Sequence, residues 1–372
     1  MTIVRRILRG LGWASATALV VAFLVGYAAP FLSPARFWWT DLFAVGLPFL
    51  SVGVAVLGAG LCGWGGYRRG WGRLGVGAGL LVLLLVRFGP RLAAWGPAPA
   101  DAGTLRLMTF NVPPSLPERT ASAAPLVDLV QRARPDVMAF QEVRLATGRD
   151  RAADLRRVSG PLRSLLEPSA GYAPPPRMPV ETAVQQPVVG RGLLDSMSVH
   201  PLPPNGASSA RARYTRTTFS WDGRTAVLYN VHLHSVGEVR PWTVLAGDWA
   251  SLDRWRTFLH AYRQAALRRA QQARLIRRRI QEETHPVLVV GDFNSTPHQW
   301  AYRHLAQGLQ SAVQRRVRAW GGTFPARRPL VQIDHVLAGP AWEITAAHIP
   351  ADRAGAVSDH RPVVAHLRWR GD

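Results

Sequence analysis

The stretch VLVVGDFNSTP, residues 287 to 297, runs four apolar residues into an acid, an aromatic and an amide. Val287 to Val290 are long enough for a buried strand and too short for a helix, and Gly291 punctuates them. Asp292 and Asn294 follow where the strand ends. Two residues apart on an extended chain, they point to the same side, so a carboxylate and a carboxamide can converge on one ligand. The ordinary reading is a turn, because Asp, Asn, Ser and Pro are also what turns are made of. The arrangement nevertheless recurs along the chain. Asn111 ends LRLMTFN, Glu142 ends DVMAFQE, His232 and His234 sit in LYNVHLHS, Asp334 follows LVQI, and Asp359 and His360 belong to VSDHRPVVAHL. Singly, each reads as a cap or a turn. Jointly, they are carboxylates, amides and imidazoles standing where a rigid sheet can aim them into a shared cleft.

Elements to carry these residues are visible in the text. TLRLMTFNV reads as a strand, APLVDLVQRARPDVMAFQEV as a helix, a Pro break and a second strand, and TAVLYNVHLHS as a third. Residues 165 to 210 are rich in Pro, Gly and Ser and are expected to hold strands joined by irregular loops. From 251 to 284 the spacing of Trp255, Phe258, Leu259, Tyr262, Leu267, Leu275 and Ile276 predicts a helix with Arg on its other faces. A basic helical face of this kind is ordinarily solvated; the alternative is contact with nucleic acid or lipid.

The first hundred residues are different in kind. Almost no acid occurs between Leu11 and Val86. Leu11 to Leu32 and Leu42 to Trp64 are of membrane-spanning length, and Leu74 to Val86 reaches it only if its flanks, Gly70 to Arg73 or Arg87 to Pro90, are drawn in. Arg5, Arg6 and Arg9 would also suit a signal peptide, but no convincing small-residue cleavage site precedes the second run, which favours an anchor. Trp38, Trp39, Trp64 and Trp71 fall near the expected span ends, where interfacial aromatics gather. Arg placement sets the amino end and the loop YRRGWGR, with Arg68, Arg69 and Arg73, in the cytoplasm. With three spans, everything after Arg87 lies outside the cell membrane; with two, it faces the cytoplasm. The expected organisation is an anchor over 1–95 with three transmembrane helices, a Pro/Ala/Gly linker over 96–103 and one domain over 104–372.

The 372 residues carry a net charge of +22. That suits nucleic acid, anionic lipid or an acidic substrate. All of the basic side chains are Arg, so a compositional bias inflates the charge and it permits these partners without selecting one. The single Cys62 lies in the second apolar run, which excludes a disulfide within one chain.

Six blocks in order, TFNV, FQEV, NVHLHS, GDFNSTP, IDHVL and SDHRPV, resemble the endonuclease/exonuclease/phosphatase superfamily, the group that includes deoxyribonuclease I, abasic endonucleases, bacterial sphingomyelinases and inositol polyphosphate 5-phosphatases. The resemblance runs from about Thr104 to the end. It implies an α/β (α+β) four-layered sandwich, two packed mixed β-sheets flanked by helices, here preceded by an N-terminal transmembrane helical region. It also implies hydrolysis of phosphoesters with Mg²⁺, or Mn²⁺ in its place.

Carried over to this chain, the resemblance makes Glu142 the principal metal ligand with Asn111 and Asp359 nearby. Asp292 would position or deprotonate the attacking water, and Asn294 would hold a phosphate oxygen. His360, oriented by Asp334, would contact the scissile phosphate, and His232 would donate to the phosphate or the leaving oxygen. His234 would share that face nearer the rim, as a substrate contact. Two departures bear on substrate. Asn111 is followed by VPPSLP rather than the short Asn/Gly-containing loop of abasic endonucleases, and Asp195 and Ser196 stand where many relatives carry a Ser-Arg pair. The reading is a membrane-anchored phosphodiesterase acting on DNA or RNA outside the membrane. A phospholipid or phosphoinositide-type hydrolase and a non-catalytic binding module are the alternatives.

Overall fold

A computed structural model describes residues 2–67, 70–92, 103–112, 124–143, 145, 160–166, 168–178, 184–203, 212–237, 244, 247, 250–317, 321–351 and 354–370. The expected linker, apart from Gly103, and the loop residues Arg68 and Arg69 lie outside them. The chain separates into two units: Met1–Ala93 with His298–Arg303, and Ala94–Pro297 with His304–Asp372.

The first unit contains the helices α1 (Thr2–Ala28), α2 (Leu47–Tyr67) and α3 (Trp71–Leu92). Ile3–Phe31, Leu47–Tyr67 and Trp71–Pro90 are each long and apolar enough to cross a membrane. The third reaches that length because both flanks of the apolar run stay helical. The second starts at Leu47 rather than Leu42: Thr40–Val45 forms a separate short helix, and Pro48 sits in the first turn of α2, where its missing N–H is tolerated. Glycines let α2 and α3 approach closely. A Cβ on Gly77 would lie 2.7 Å from the Gly58 carbonyl oxygen, and one on Gly65 2.7 Å from the Leu74 nitrogen. Phe23, Leu47, Val54 and Leu80 form the centre of this unit.

The second unit is built on two mixed sheets flanked by helices. One runs in the order β10 (Trp342–His348), β11 (Val363–Trp369), β1 (Leu105–Asn111), β2 (Val137–Gln141), β3 (Val188–Gly190). The other runs β4 (Leu194–Pro201), β5 (Arg213–Trp221), β6 (Arg224–His232), β7 (Val287–Asp292), β9 (Asp334–Ala338), β8 (Gln310–Ser311). At the centre of each, a parallel pair, β1 with β2 and β6 with β7, is flanked by an antiparallel strand, β11 or β9.

Strand parity explains the core. Leu105, Leu107, Val137 and Ala139 face the other sheet and meet Ala226, Leu228, Leu288 and Val290. The alternate residues Met108, Phe110, Met138 and Phe140 pack on the outer side with Leu126, Leu129 and Val130 of α4 (Ala124–Ala133). The central strands are thus apolar on both faces, which is why they read as near-continuous hydrophobic runs.

The long helix α5 (Leu252–Gln281) starts on Ser251, whose side chain accepts from the Arg254 N–H. Its buried face differs from the one predicted by spacing. Phe258, Tyr262 and Ile276 are buried as expected, but Leu259 is 38% exposed, and the face is completed by Ala265, Ala266, Arg269, Ala270, Gln272 and Ala273. Two polar residues among them, Arg269 and Gln272, hold the backbone of His234 just past the end of β6.

Candidate active site

The inward parity that fills the core continues along each strand, but the residue type changes. After Leu105 and Leu107 come Thr109 and Asn111; after Val137 and Ala139, Gln141; after Ala226 and Leu228, Asn230 and His232; after Leu288 and Val290, Asp292. Because β9 and β11 run antiparallel to their neighbours, their starts, not their ends, reach the same edge of the sandwich. This brings in Asp334, the first residue of β9, and the Ser358-Asp359-His360 segment before β11. Asp334 thus opens a strand rather than following one, and His360 precedes β11 by three residues.

Contacts across the two sheets knit this end together. The Asn111 amide donates to Glu142 Oε1 at 3.2 Å and to Asp292 Oδ2 at 3.0 Å. His232 Nε2 lies 3.8 Å from Glu142 Oε1 and 3.6 Å from Asp292 Oδ2. His360 places Nδ1 2.9 Å from Asp334 Oδ2, which leaves Nε2 3.9 Å from Asp292 Oδ2. Glu142 adopts φ 64°, a left-handed conformation just past β2 that few non-glycine residues accept.

Asp292 and Asn294 are not two steps of one extended strand. Asn294 has φ 46°, and its N–H donates to Asp292 Oδ1 at 2.7 Å. The stretch is therefore an Asx-type turn and a part of the site at once. The Asn294 side-chain nitrogen donates to the Leu233 carbonyl at 2.9 Å and, more weakly, to Asp292 Oδ2 at 3.3 Å. Gly291 is required where it stands: φ is +131°, and a Cβ there would lie 1.9 Å from the Val231 carbonyl oxygen.

Charge follows from this packing. Burial pushes the Asp292 carboxyl up, helped by Asp334, while His360, His232 and the Asn294 N–H act against it. For His360, burial opposes the charge, but Asp334, by charge and hydrogen bond, then Asp292 and Asp359 outweigh it and carry the imidazolium to a pKa of about 10. Asp292, Asp334 and His360 bring ligating atoms within 4.8 Å of one another, a grouping that could also hold a metal ion. With His360 charged, that grouping already contains its own cation. A better fit for a hard divalent ion is beside it. Among the described residues Asn111 Oδ1 is buried without a hydrogen-bond partner, next to the Glu142 carboxylate, and both are oxygen donors of the kind Mg²⁺ or Mn²⁺ takes.

Two of the expected residues are less central. Asp359 is half-buried; its carbonyl accepts from the Ala326 N–H at 2.6 Å, and its carboxylate acts on His360 through charge. His234 turns to α5, with Nε2 3.2 Å from Arg268 Nη1. Burial, then the charges of Arg268, Arg269 and His232, push its pKa down to about 4.

Several residues that hold this geometry were not singled out in the sequence. Gln141 donates to Asn230 Oδ1 at 2.7 Å, and Asn230 donates to the Phe140 carbonyl at 2.9 Å, so two fully buried amides clasp β2 to β6. The Ser358 hydroxyl donates to the Asn111 carbonyl and accepts the His360 N–H at 2.9 Å. Thr323 Oγ1 accepts the Asp334 N–H at 3.2 Å. The available signal was the inward parity of Gln141 and Asn230, polar residues in otherwise apolar rows.

Residues 92–360 match the model of the Endonuclease/Exonuclease/phosphatase family. The chain belongs to this family. As an endonuclease/exonuclease/phosphatase protein it falls in a superfamily of phosphoesterases, hydrolases of phosphoester bonds that commonly use divalent metals. Its fold is similar to that of an endonuclease/exonuclease/phosphatase family protein of Bacteroides thetaiotaomicron, with 17% identity and a TM-score of 0.50 over 74% of this chain and 100% of that one. A mannosyl-6-phosphatase from the same organism is 16% identical, with a TM-score of 0.50 over 71% of this chain and 100% of that one. No curated protein matches the sequence.

Proposed function

We propose that the protein is a divalent-metal-dependent phosphodiesterase of nucleic acid, held by its N-terminal helices with the catalytic unit on the outer face of the membrane. The observation that carries the reading is the meeting of Asn111, Glu142, His232, Asp292, Asp334 and His360 at one edge of the sandwich, joined across both sheets.

Glu142 and Asn111, with Asp359, would hold the ion. Bound there, Mg²⁺ or Mn²⁺ would polarise a phosphoryl oxygen and offset charge as it develops. Asp292, raised by burial, takes the proton of the attacking water, and the Asn294 N–H fixes the carboxylate for it. The long bond from the Asn294 amide to Asp292 is the one a phosphate oxygen would replace. His360, kept charged by Asp334, presents Nε2 to the scissile phosphate. His232, between Glu142 and Asp292, donates to the leaving oxygen.

The test is hydrolysis by the full chain in phosphatidylcholine nanodiscs, with Mg²⁺, Mn²⁺ or chelator, on plasmid DNA, RNA and phospholipid vesicles. Metal-dependent cleavage of nucleic acid that is lost in Glu142→Gln and Asp292→Asn supports the reading. Cleavage of lipid alone would replace it with a headgroup hydrolase, and wild-type rates in either variant would overturn the site. Protease protection of residues past Arg87 in oriented vesicles tests the side of the membrane.

A further inference from the structure

Arg268 and Arg269 are neighbours on α5. Among the described residues neither has a carboxylate within ion-pair distance, whereas Arg132, Arg216, Arg256, Arg279 and Arg368 each have one. Arg269 is 1% exposed; its Nη1 donates to the His234 carbonyl at 3.1 Å, its guanidinium lies 5.7 Å from the Tyr262 ring centroid, and its Nε has no hydrogen-bond partner. A buried guanidinium without a counter-ion is expensive, and a second one beside it adds repulsion. Arg268 is half-buried and reaches His234 Nε2, which accepts because the ring is neutral. His234 takes one of the five N–H donors of Arg268.

This pair is tied firmly to the active site. The His234 N–H donates to Gln272 Oε1 at 2.9 Å, so both of its backbone groups are held by buried side chains of α5. The preceding residue, Leu233, donates its N–H to the Asp292 carbonyl at 3.0 Å, and its own carbonyl accepts from Asn294. One residue therefore separates the arginines' anchor point from the turn that carries Asp292 and Asn294. Among the described residues these two positive charges lack an anion, and the candidate substrate brings anions.

We propose that Arg268, oriented by His234 and backed by Arg269, binds a second phosphate of the substrate, adjacent along the chain to the one cleaved, and that the substrate is a polynucleotide. The inference rests on the phosphoesterase reading of the Asp292 site. Nucleic acid carries a phosphate at every link, whereas an ordinary phospholipid diester has only one.

Binding separates this inference from the activity. Affinities of the full chain in phosphatidylcholine nanodiscs are measured with chelator present for the dinucleotide TpT and its 5′-phosphorylated form pTpT. One charge-assisted contact predicts about tenfold tighter binding of pTpT, lost in Arg268→Gln and partly kept in Arg268→Lys. Equal affinities, no binding of either dinucleotide, or a preference retained in Arg268→Gln would overturn the subsite. A preference for vesicles containing phosphatidylinositol 4-phosphate over phosphatidylinositol, in place of pTpT over TpT, would overturn the nucleic-acid class. If pTpT is preferred but never hydrolysed with Mg²⁺ or Mn²⁺, the subsite stands and the hydrolase reading fails; hydrolysis without the preference is the reverse.

Discussion

The space between the two sheets has two ends made by the same inward-facing rows of residues. At one end Leu105, Leu107, Leu228, Leu288 and Val290 belong to one buried apolar cluster; at the other the same rows carry Asn111, Gln141, Asn230, His232 and Asp292. Dispersion and area burial hold the first end together and tolerate repacking. The second depends on connected hydrogen bonds, since a buried amide or carboxylate that loses its partner is left with the full desolvation penalty. One end therefore sets how stable the sandwich is, and the other sets where its polar groups stand. Keeping them on one rigid pair of sheets gives polar groups from distant parts of the chain a fixed geometry.

The contrast can be broken at its junction. Gly291→Ala puts a Cβ against the Val231 carbonyl at a positive φ, and it is expected to cost about 4 kcal/mol or more and to disturb both ends together, read as loss of a cooperative unfolding transition. Glu142→Gln should separate the ends: turnover falls by about a thousandfold, roughly 4 kcal/mol, while the thermal midpoint stays near wild type because the side chain keeps an acceptor for Asn111. Leu288→Ala at the apolar end should do the opposite, lowering stability by about 2–5 kcal/mol in denaturant titration with unchanged activity per folded molecule.

Asn230→Ala falls between, removing the clasp to Gln141 and the Phe140 carbonyl. It is expected to lower stability by about 1–3 kcal/mol and also to reduce kcat, since β2 carries Glu142 and β6 carries His232. An unchanged kcat would assign the clasp to stability alone.

The smallest effect concerns pH. Unfolded, His234 takes up its proton near 6.5, whereas in the folded chain, buried and facing Arg268, Arg269 and His232, it does so only near 4. Between those values the unfolded chain binds more protons, so stability is full above about pH 6.5 and falls as pH drops toward 4. His234→Asn should flatten this part of the profile relative to wild type, as read from denaturation midpoints at several pH values.

Much of the active edge was legible because strands alternate and apolar rows that turn polar stand out. Asn111, His232 and Asp292 stand out in that way as the polar ends of apolar runs, Glu142 comes one residue past such an end, and His360 is marked by its motif rather than by a strand row. Other features were not legible, for separate physical reasons. β3 and β8 span only three and two residues and leave no periodic trace. The inner face of α5 is mostly alanine with Arg269 and Gln272, so a search for large apolar residues rotated the stripe toward Leu259. Ser358 reaches Asn111 from far along the chain and Thr323 reaches Asp334 across a loop, and a short polar residue in a loop looks the same whether or not it has such a partner.

By itself, then, the sequence determined the segregation of an apolar amino-terminal region from a mixed domain, the strands of the two central parallel pairs, and the residue types that could meet a phosphoester. Hydrophobic periodicity and residue chemistry are local properties, written in the order of the chain. Only the tertiary structure decided that Asp334 and His360 arrive at the starts of antiparallel strands, that Asp292 and Asn294 share a turn, and that α5 brings Arg268 and Arg269 to His234. Those are consequences of strand direction and of packing between remote segments, and no window of sequence contains them.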